Sequence, residues 1–198
     1  MHALTNDFRT AVVILHEIYG VNRYMMDMCA HFHARGHDVF CPNMLGRESP
    51  FSYAEEAEAY AWFMDSGGFA VAGRVCSLTA KLAAAYSRVF LIGYSVGATV
   101  AWIVGGKTAC AGVVCHYGTR IREHAGEKPS CPALLVCGTR DRSFPGEAVV
   151  SRFDGAPGIE VAVFEGEHGF CDPYGPVHCR DSADKARLLA DTFIERLR

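Results

Sequence analysis

Ser95 lies in a segment whose residue types and spacing suit a nucleophile. The apolar run Val89–Ile92 is typical of a buried strand, and Gly93–Gly97 follows it directly before a sequence that favours a helix. Glycines two residues before and after the serine let a strand and a helix approach closely, so Ser95 would project from a sharp turn. At that position the free N–H groups and the dipole of the helix favour a developing oxyanion. The segment therefore predicts a nucleophilic Ser95, with the backbone N–H of Val96 as one oxyanion donor.

The chain also carries candidates for a base and for an acid that orients it. A serine hydroxyl needs both, because a base must remove its proton and a carboxylate must fix the base and stabilise its cation. In a parallel α/β sheet such groups follow the carboxyl ends of strands. Asp141 follows the strand predicted at 132–137, and His168 follows the strand predicted at 159–164, which gives the nucleophile, acid, base order of the α/β-hydrolases. Alternative candidates are the acids Glu165 and Glu167 and the base His178.

Strands and helices must alternate along the chain to bring these residues together. Apolar and β-branched runs predict strands at residues 10–15, 38–42, 89–92, 111–115, 132–137 and 159–164. The pattern favours an α/β-hydrolase fold in a single domain over residues 1–198: a mostly parallel sheet with helices on both faces. Ile18, in the loop after the first of these strands, is then the second oxyanion donor. The segment 117–131 is too short for a lid domain, and Ser182 is predicted to cap the C-terminal helix.

The composition is typical of a globular protein. Half of the 198 residues are hydrophobic, and the formal net charge is −3 without a basic block, which argues against a nucleic-acid partner. No apolar run has the length that a membrane span requires, and the N-terminus lacks a basic segment and a cleavage site, so we expect a cytoplasmic protein. The nine cysteines are odd in number and lie mostly in apolar contexts, so we expect reduced thiols.

Four short segments combine into a specific pattern. They are VILHEIYGVN (Val13–Asn22), GYSVGA (Gly93–Ala98), GTRDRSFP (Gly138–Pro145) and GEHGF (Gly166–Phe170). In this order, spread over nearly the whole chain, they resemble the signature segments of the dienelactone hydrolase family of α/β-hydrolases. The resemblance implies a hydrolase in which Asp141 and His168 complete the triad and Glu17 lies beside the nucleophile.

The chain departs from that family at three positions. Typical members carry a cysteine where this chain has Ser95, and a serine, with its far higher pKa, requires His168 to act as base during attack. Glu17 would then hydrogen-bond Ser95 at rest or assist water in deacylation. Two arginines that hold a substrate carboxylate in similar dienelactone hydrolases correspond to Asp172 and Glu56. Because anions there would repel an anionic substrate, we expect a neutral or even cationic ester or lactone.

Aromatic residues near the predicted triad suggest an apolar acyl pocket. Its candidate lining consists of Tyr19, Tyr60, Phe144 and Phe170, with Arg47 as a cation able to reach it. The potential metal ligands in this part of the chain fit no regular zinc spacing, so we expect neither a metal nor an organic cofactor; they are His168, Cys171, Asp172, His178 and Cys179. The predicted reaction is cleavage of a small-molecule ester or lactone through a Ser95 acyl-enzyme. The alternatives are a thioesterase or amidase with the same triad, and a non-catalytic sensor that binds a ligand in the same pocket.

Overall fold

The structure, a computed structural model that describes all 198 residues, is built around one seven-stranded sheet. Its strands are β1 (His2–Leu4), β2 (Thr10–Leu15), β3 (Asp38–Cys41), β4 (Arg88–Tyr94), β5 (Gly112–His116), β6 (Ala133–Gly138) and β7 (Ile159–Phe164). The spatial order is β1-β3-β2-β4-β5-β6-β7, and every neighbouring pair is parallel except β1 with β3. The carboxyl ends of six strands therefore meet at one edge of the sheet, where the candidate catalytic residues follow them.

Six helices cover the two faces of this sheet. They are α1 (Arg23–Ala34), α2 (Glu56–Asp65), α3 (Ala72–Ala85), α4 (Val96–Gly105), α5 (Gly146–Phe153) and α6 (Arg180–Leu197). Helices α1 and α6 pack on one face, and α2 to α5 pack on the other. None of the helices combines the length and the apolar character that crossing a membrane would require.

The central strands read as continuous apolar runs because both of their faces are buried. Along β2, Ala11, Val13 and Leu15 belong to one hydrophobic cluster, whereas Val12 and Ile14 belong to the cluster on the opposite face. Helix α4 is likewise buried along its whole length, which explains why its sequence is apolar all round instead of amphipathic. The segment that carries Ser95 thus lies at the centre of the core.

The structure confirms the predicted α/β-hydrolase architecture but corrects some of its details. Strand β1 is a three-residue antiparallel edge strand, and α5 lies between β6 and β7; neither was predicted. The predicted cap at Ser182 is wrong, because α6 begins at Arg180 with Cys179 as its N-cap, and Ser182 is buried in the first turn. Between β5 and β6 the chain forms only a short 3-10 helix, Thr119–His124.

Candidate active site

Ser95 occupies a strained turn between β4 and α4. Its backbone has φ 54° and ψ −117°, a region that a residue with a side chain adopts at a cost of about 1–3 kcal/mol. The Ser95 N–H donates to the His116 carbonyl at 2.9 Å, which ties the turn to the end of β5. A Cβ on Gly93 would lie 2.2 Å from the Gly97 oxygen, and a Cβ on Gly97 would lie 2.2 Å from the Leu15 oxygen. Both glycines are therefore required, because other backbone segments pack directly against them.

The structure brings Ser95, His168 and Asp141 together from three separate strand ends. Ser95 Oγ lies 2.8 Å from His168 Nε2, and His168 Nδ1 lies 2.7 Å from Asp141 Oδ2. The second oxygen of the buried Asp141 accepts hydrogen bonds from the backbone N–H groups of Ser143, at 3.0 Å, and Phe144, at 3.4 Å. These bonds fix the carboxylate, so the histidine that it holds is also fixed.

The environment of His168 favours a base with one defined tautomer. An ionised Asp141 can only accept a hydrogen bond, so Nδ1 carries the proton and Nε2 is free to accept the Ser95 hydroxyl proton. Burial alone would lower the pKa of His168, but the hydrogen bond to Asp141 and its negative charge outweigh burial and raise the pKa above its ordinary value. The Tyr117 ring packs edge-on against the imidazole, 5.2 Å between centroids.

Ile18 and Val96 are the candidate donors of the oxyanion hole. Ile18 and Val96 both line the cleft that contains Ser95. Neither N–H is engaged in a turn, loop or side-chain hydrogen bond within the protein. Val96 is the first residue of α4, so its N–H also lies at the positive end of a helix dipole. This pair of free donors matches the chemistry of an oxyanion hole.

Glu17 is buried at the same site and is not hydrogen-bonded to Ser95. Its side chain is 4% exposed and lines the cleft, yet the hydrogen bond of Ser95 Oγ goes to His168. Burial, helped by the negative charge of Asp172, raises the pKa of Glu17 to about 7, although the nearby His168 opposes the shift. Glu17 can therefore exchange a proton near neutral pH.

Asp172 is a second buried acid in the cleft. Its Oδ2 accepts a hydrogen bond from the Tyr53 hydroxyl at 2.5 Å, and its Oδ1 accepts one from the Tyr174 N–H at 2.9 Å. Burial raises the pKa of Asp172. Tyr53 in turn packs edge-on against Tyr19, with 4.9 Å between ring centroids. The acid is thus held in place by Tyr53, from the segment before α2, and by the backbone of its own loop at Tyr174.

A cleft of about 620 Å³ surrounds these groups, and both acids and arginines line it. Acids from the loop after β2, from α2 and from the loop after β7 line it: Glu17, Glu56 and Asp172, in addition to Asp141 and Glu167. The segments after β5 and β6 contribute four arginines: Arg120, Arg122, Arg140 and Arg142. Carboxylates pair with three of these arginines, whereas Arg142 is exposed and forms no ion pair.

Three of the predicted pocket residues do not line the cleft. Phe170 is fully buried in the hydrophobic cluster under α1 and α6, where its ring packs against Tyr117 and Phe164. The Arg47 guanidinium stacks on the Phe51 ring at 3.9 Å and donates a hydrogen bond to the Ser49 carbonyl. These contacts hold its charge away from the cleft. Phe144 packs against the core beside Asp141 and lines a small apolar cavity that shares Thr119 and Asp141 with the cleft.

The other predicted pocket residues, Tyr19 and Tyr60, do line the cleft. The Tyr60 hydroxyl accepts a hydrogen bond from Arg120 at 2.9 Å, which links α2 to one of the arginines. Sequence reasoning missed Tyr53, Arg120 and Arg142. The hydrogen bond between Tyr53 and Asp172 joins residues 119 positions apart, so no local sequence pattern predicts it.

The sheet order, and the turn that carries Ser95 after β4, define an α/β-hydrolase. Solved structures with the same fold include a dienelactone hydrolase-like promiscuous phosphotriesterase from metagenomic libraries, with a TM-score of 0.78 and 18% identity over 98% of this chain and 88% of that one. A putative dienelactone hydrolase from Klebsiella pneumoniae gives a TM-score of 0.74 and 20% identity over 94% and 88%.

Residues 2–194 match the family described as the dienelactone hydrolase family, and the chain belongs to that family. An uncharacterised protein of Bacillus subtilis, YczH, is 33% identical over 82% of this chain and 81% of its own length. A carboxymethylenebutenolidase of Pseudomonas sp. is 24% identical over 94% of this chain and 84% of its own length. The protein is accordingly a hydrolase of the ester-cleaving kind.

Proposed function

We propose that this protein hydrolyses small esters or lactones through an acyl-enzyme on Ser95. The observation that carries the proposal is the continuous pair of hydrogen bonds from Ser95 through His168 to Asp141, 2.8 and 2.7 Å long. In the first step His168 Nε2 takes the hydroxyl proton while Ser95 Oγ attacks the carbonyl carbon. The negative oxygen that forms is stabilised by the N–H groups of Ile18 and Val96. His168 then returns the proton to the leaving alcohol.

Glu17 suits a role in the second half of the reaction. A water molecule must attack the acyl-enzyme, and a base near it speeds that step. His168 is one such base, and Glu17, with its pKa raised to about 7, is half ionised near neutral pH. We assign Glu17 to orient or deprotonate this water, because Ser95 is already hydrogen-bonded to His168.

The acids in the cleft support an acyl group without negative charge. Glu56 and Asp172 line the same cleft as Ser95 and Ile18. An anionic acyl chain there would face like charges, which costs affinity and selects against such substrates. The natural substrate is then an ester or lactone whose acyl part is neutral or cationic.

A matched pair of esters tests this charge preference. The para-nitrophenyl esters of butyrate and of succinate share a leaving group and a chain length, but the second carries a terminal carboxylate. We expect a higher kcat/KM for the butyrate ester, and a smaller difference in Glu56→Gln but not in Glu58→Gln, an exposed control on the same helix. A preference for the succinate ester would contradict the proposal.

A fluorophosphonate probe tests the nucleophile without knowledge of the substrate. The probe should label the peptide that contains Ser95, and neither Ser95→Ala nor His168→Ala should be labelled or turn over ester. The control His178→Ala should behave as wild type. Turnover by a folded Ser95→Ala variant would refute the assignment.

Rates on matched oxygen esters and thioesters would distinguish an esterase from a thioesterase, and a product burst would exclude a non-catalytic sensor. A cytoplasmic location stays a prediction, which cell fractionation would test.

A further inference from the structure

His16, the residue after β2, is fully buried and uses both of its ring nitrogens. Its Nδ1 lies 2.6 Å from the Glu17 carbonyl oxygen, and its Nε2 lies 2.8 Å from the Met44 backbone nitrogen. A backbone N–H can only donate, so Nε2 must be unprotonated and Nδ1 must carry the proton that it donates to Glu17. Burial lowers the pKa of His16 to about 4, which keeps the ring neutral near neutral pH.

The bond from His16 determines the direction of the neighbouring N–H group. The Glu17 carbonyl and the Ile18 N–H belong to one planar trans peptide unit, in which the two groups point in opposite directions. When the carbonyl is held toward His16, the Ile18 N–H must point away from it. Ile18 borders the cleft that contains Ser95. The one other backbone donor to this carbonyl is the Gly20 N–H, at 3.2 Å.

We propose that His16 is a positioning residue that holds the Glu17–Ile18 peptide with its N–H aimed at the oxyanion. The inference rests on the proposed function, because the oxyanion forms only if Ser95 attacks a carbonyl. Met44 fixes the ring, the ring fixes the Glu17 carbonyl, and the carbonyl fixes the Ile18 donor. If the peptide turned over, the site would lose a donor and place a carbonyl oxygen near the developing negative charge.

Two substitutions separate this role from simple packing. The amide nitrogen of asparagine reaches the position of histidine Nδ1, so His16→Asn can still donate to the Glu17 carbonyl. The amide oxygen of glutamine reaches the position of Nε2, so His16→Gln can still accept from Met44 but loses the bond to Glu17. Both variants lose one hydrogen bond of a buried group, so their unfolding midpoints in urea should fall by similar amounts.

The two variants should differ in catalysis. Removal of one oxyanion donor lowers kcat by about 100-fold or more, and the Gly20 bond preserves part of the orientation, so we expect His16→Gln to lose about tenfold or more in kcat. Its KM should change little, because the oxyanion appears only in the transition state. His16→Asn should stay within a few-fold of wild type.

Trifluoromethyl ketones, which form an oxyanion on the nucleophile, provide a second readout. Their inhibition constants should rise in His16→Gln in proportion to the loss of kcat/KM and stay near wild type in His16→Asn. Equal losses in both variants, or full activity in a folded His16→Gln, would overturn the inference.

If the fluorophosphonate probe fails to label even the wild type, the proposed function fails instead. Crystal structures of both variants would then still test the peptide directly. The inference predicts a turned Glu17–Ile18 peptide in His16→Gln alone, and an unchanged peptide there would overturn it.

Discussion

Replacing Glu17 with glutamine should stabilise the protein at alkaline pH. Burial raises the pKa of Glu17 from 4.5 to about 7, so the folded protein prefers the protonated carboxyl more strongly than the unfolded chain does. Between these two pKa values the folded state binds more protons than the unfolded state, and stability falls as the pH rises. Above about pH 7 the full cost of the buried charge is present, and below about pH 4.5 it is absent.

The size of the effect follows from this shift. Each pKa unit corresponds to about 1.36 kcal/mol, so the buried charge costs about 3 kcal/mol above neutral pH. A glutamine has nearly the same shape and carries no charge, so Glu17→Gln should recover most of this free energy. The gain is expected even as turnover falls, because Glu17 belongs to the proposed deacylation machinery.

Urea denaturation at about pH 8.5 and about pH 4.5 measures the prediction. The free energy of unfolding of Glu17→Gln should exceed that of wild type by about 2–3 kcal/mol at the higher pH and by much less at the lower one. Glu58→Gln, an exposed substitution in α2, is the control and should show no such pH dependence. An equal gain at both pH values, or none at either, would refute the reasoning.

Three further predictions concern the triad, the turn and a cysteine pair. Asp141→Asn should lower kcat by about 1,000-fold or more while the protein stays folded, because His168 loses its tautomer and its stabilising charge; ester kinetics and thermal unfolding test this. Gly97→Ala should cost about 3 kcal/mol or more in urea denaturation, since its Cβ would overlap backbone, whereas Gly73→Ala, in open space on α3, should be neutral or stabilising. The sulfurs of Cys110 and Cys131 lie 3.3 Å apart, so mild peroxide should join them in a disulfide that stabilises the protein by about 3 kcal/mol. Intact mass would detect the disulfide and urea denaturation would measure the gain. A loss of stability on oxidation would contradict the prediction.

Much of the site could be predicted because its residues lie in short sequence patterns that can be recognised without knowledge of the rest of the fold. The glycines around Ser95 are required by backbone contacts within one turn, and the apolar runs of β4, β6 and β7 identify strands whose ends carry the three triad residues. Parallel topology then brings those ends to one edge of the sheet. The sequence therefore predicted which residues lie near one another without any distance being known.

The pocket was harder to predict because side-chain direction depends on packing across the fold. Phe170 lies two residues after His168, yet its ring fills the core, and Arg47 is turned away by stacking on Phe51. Strand β1 was missed because three residues are too few to show an alternating pattern, and it exists only through its pairing with β3. Contacts of this kind arise from the assembled sheet and not from neighbouring residues.

The complete enclosure of α4 has a consequence for how the protein could adapt to different molecules. A helix surrounded on every side cannot shift without opening voids in the interior, so the serine at its start is a fixed reference point. To accept a larger or smaller substrate, the protein must move the surface segments around the cleft, chiefly Thr119–His124 and residues 139–145. Changes in those segments should thus alter the range of substrates while the Ser95 hydroxyl stays in place.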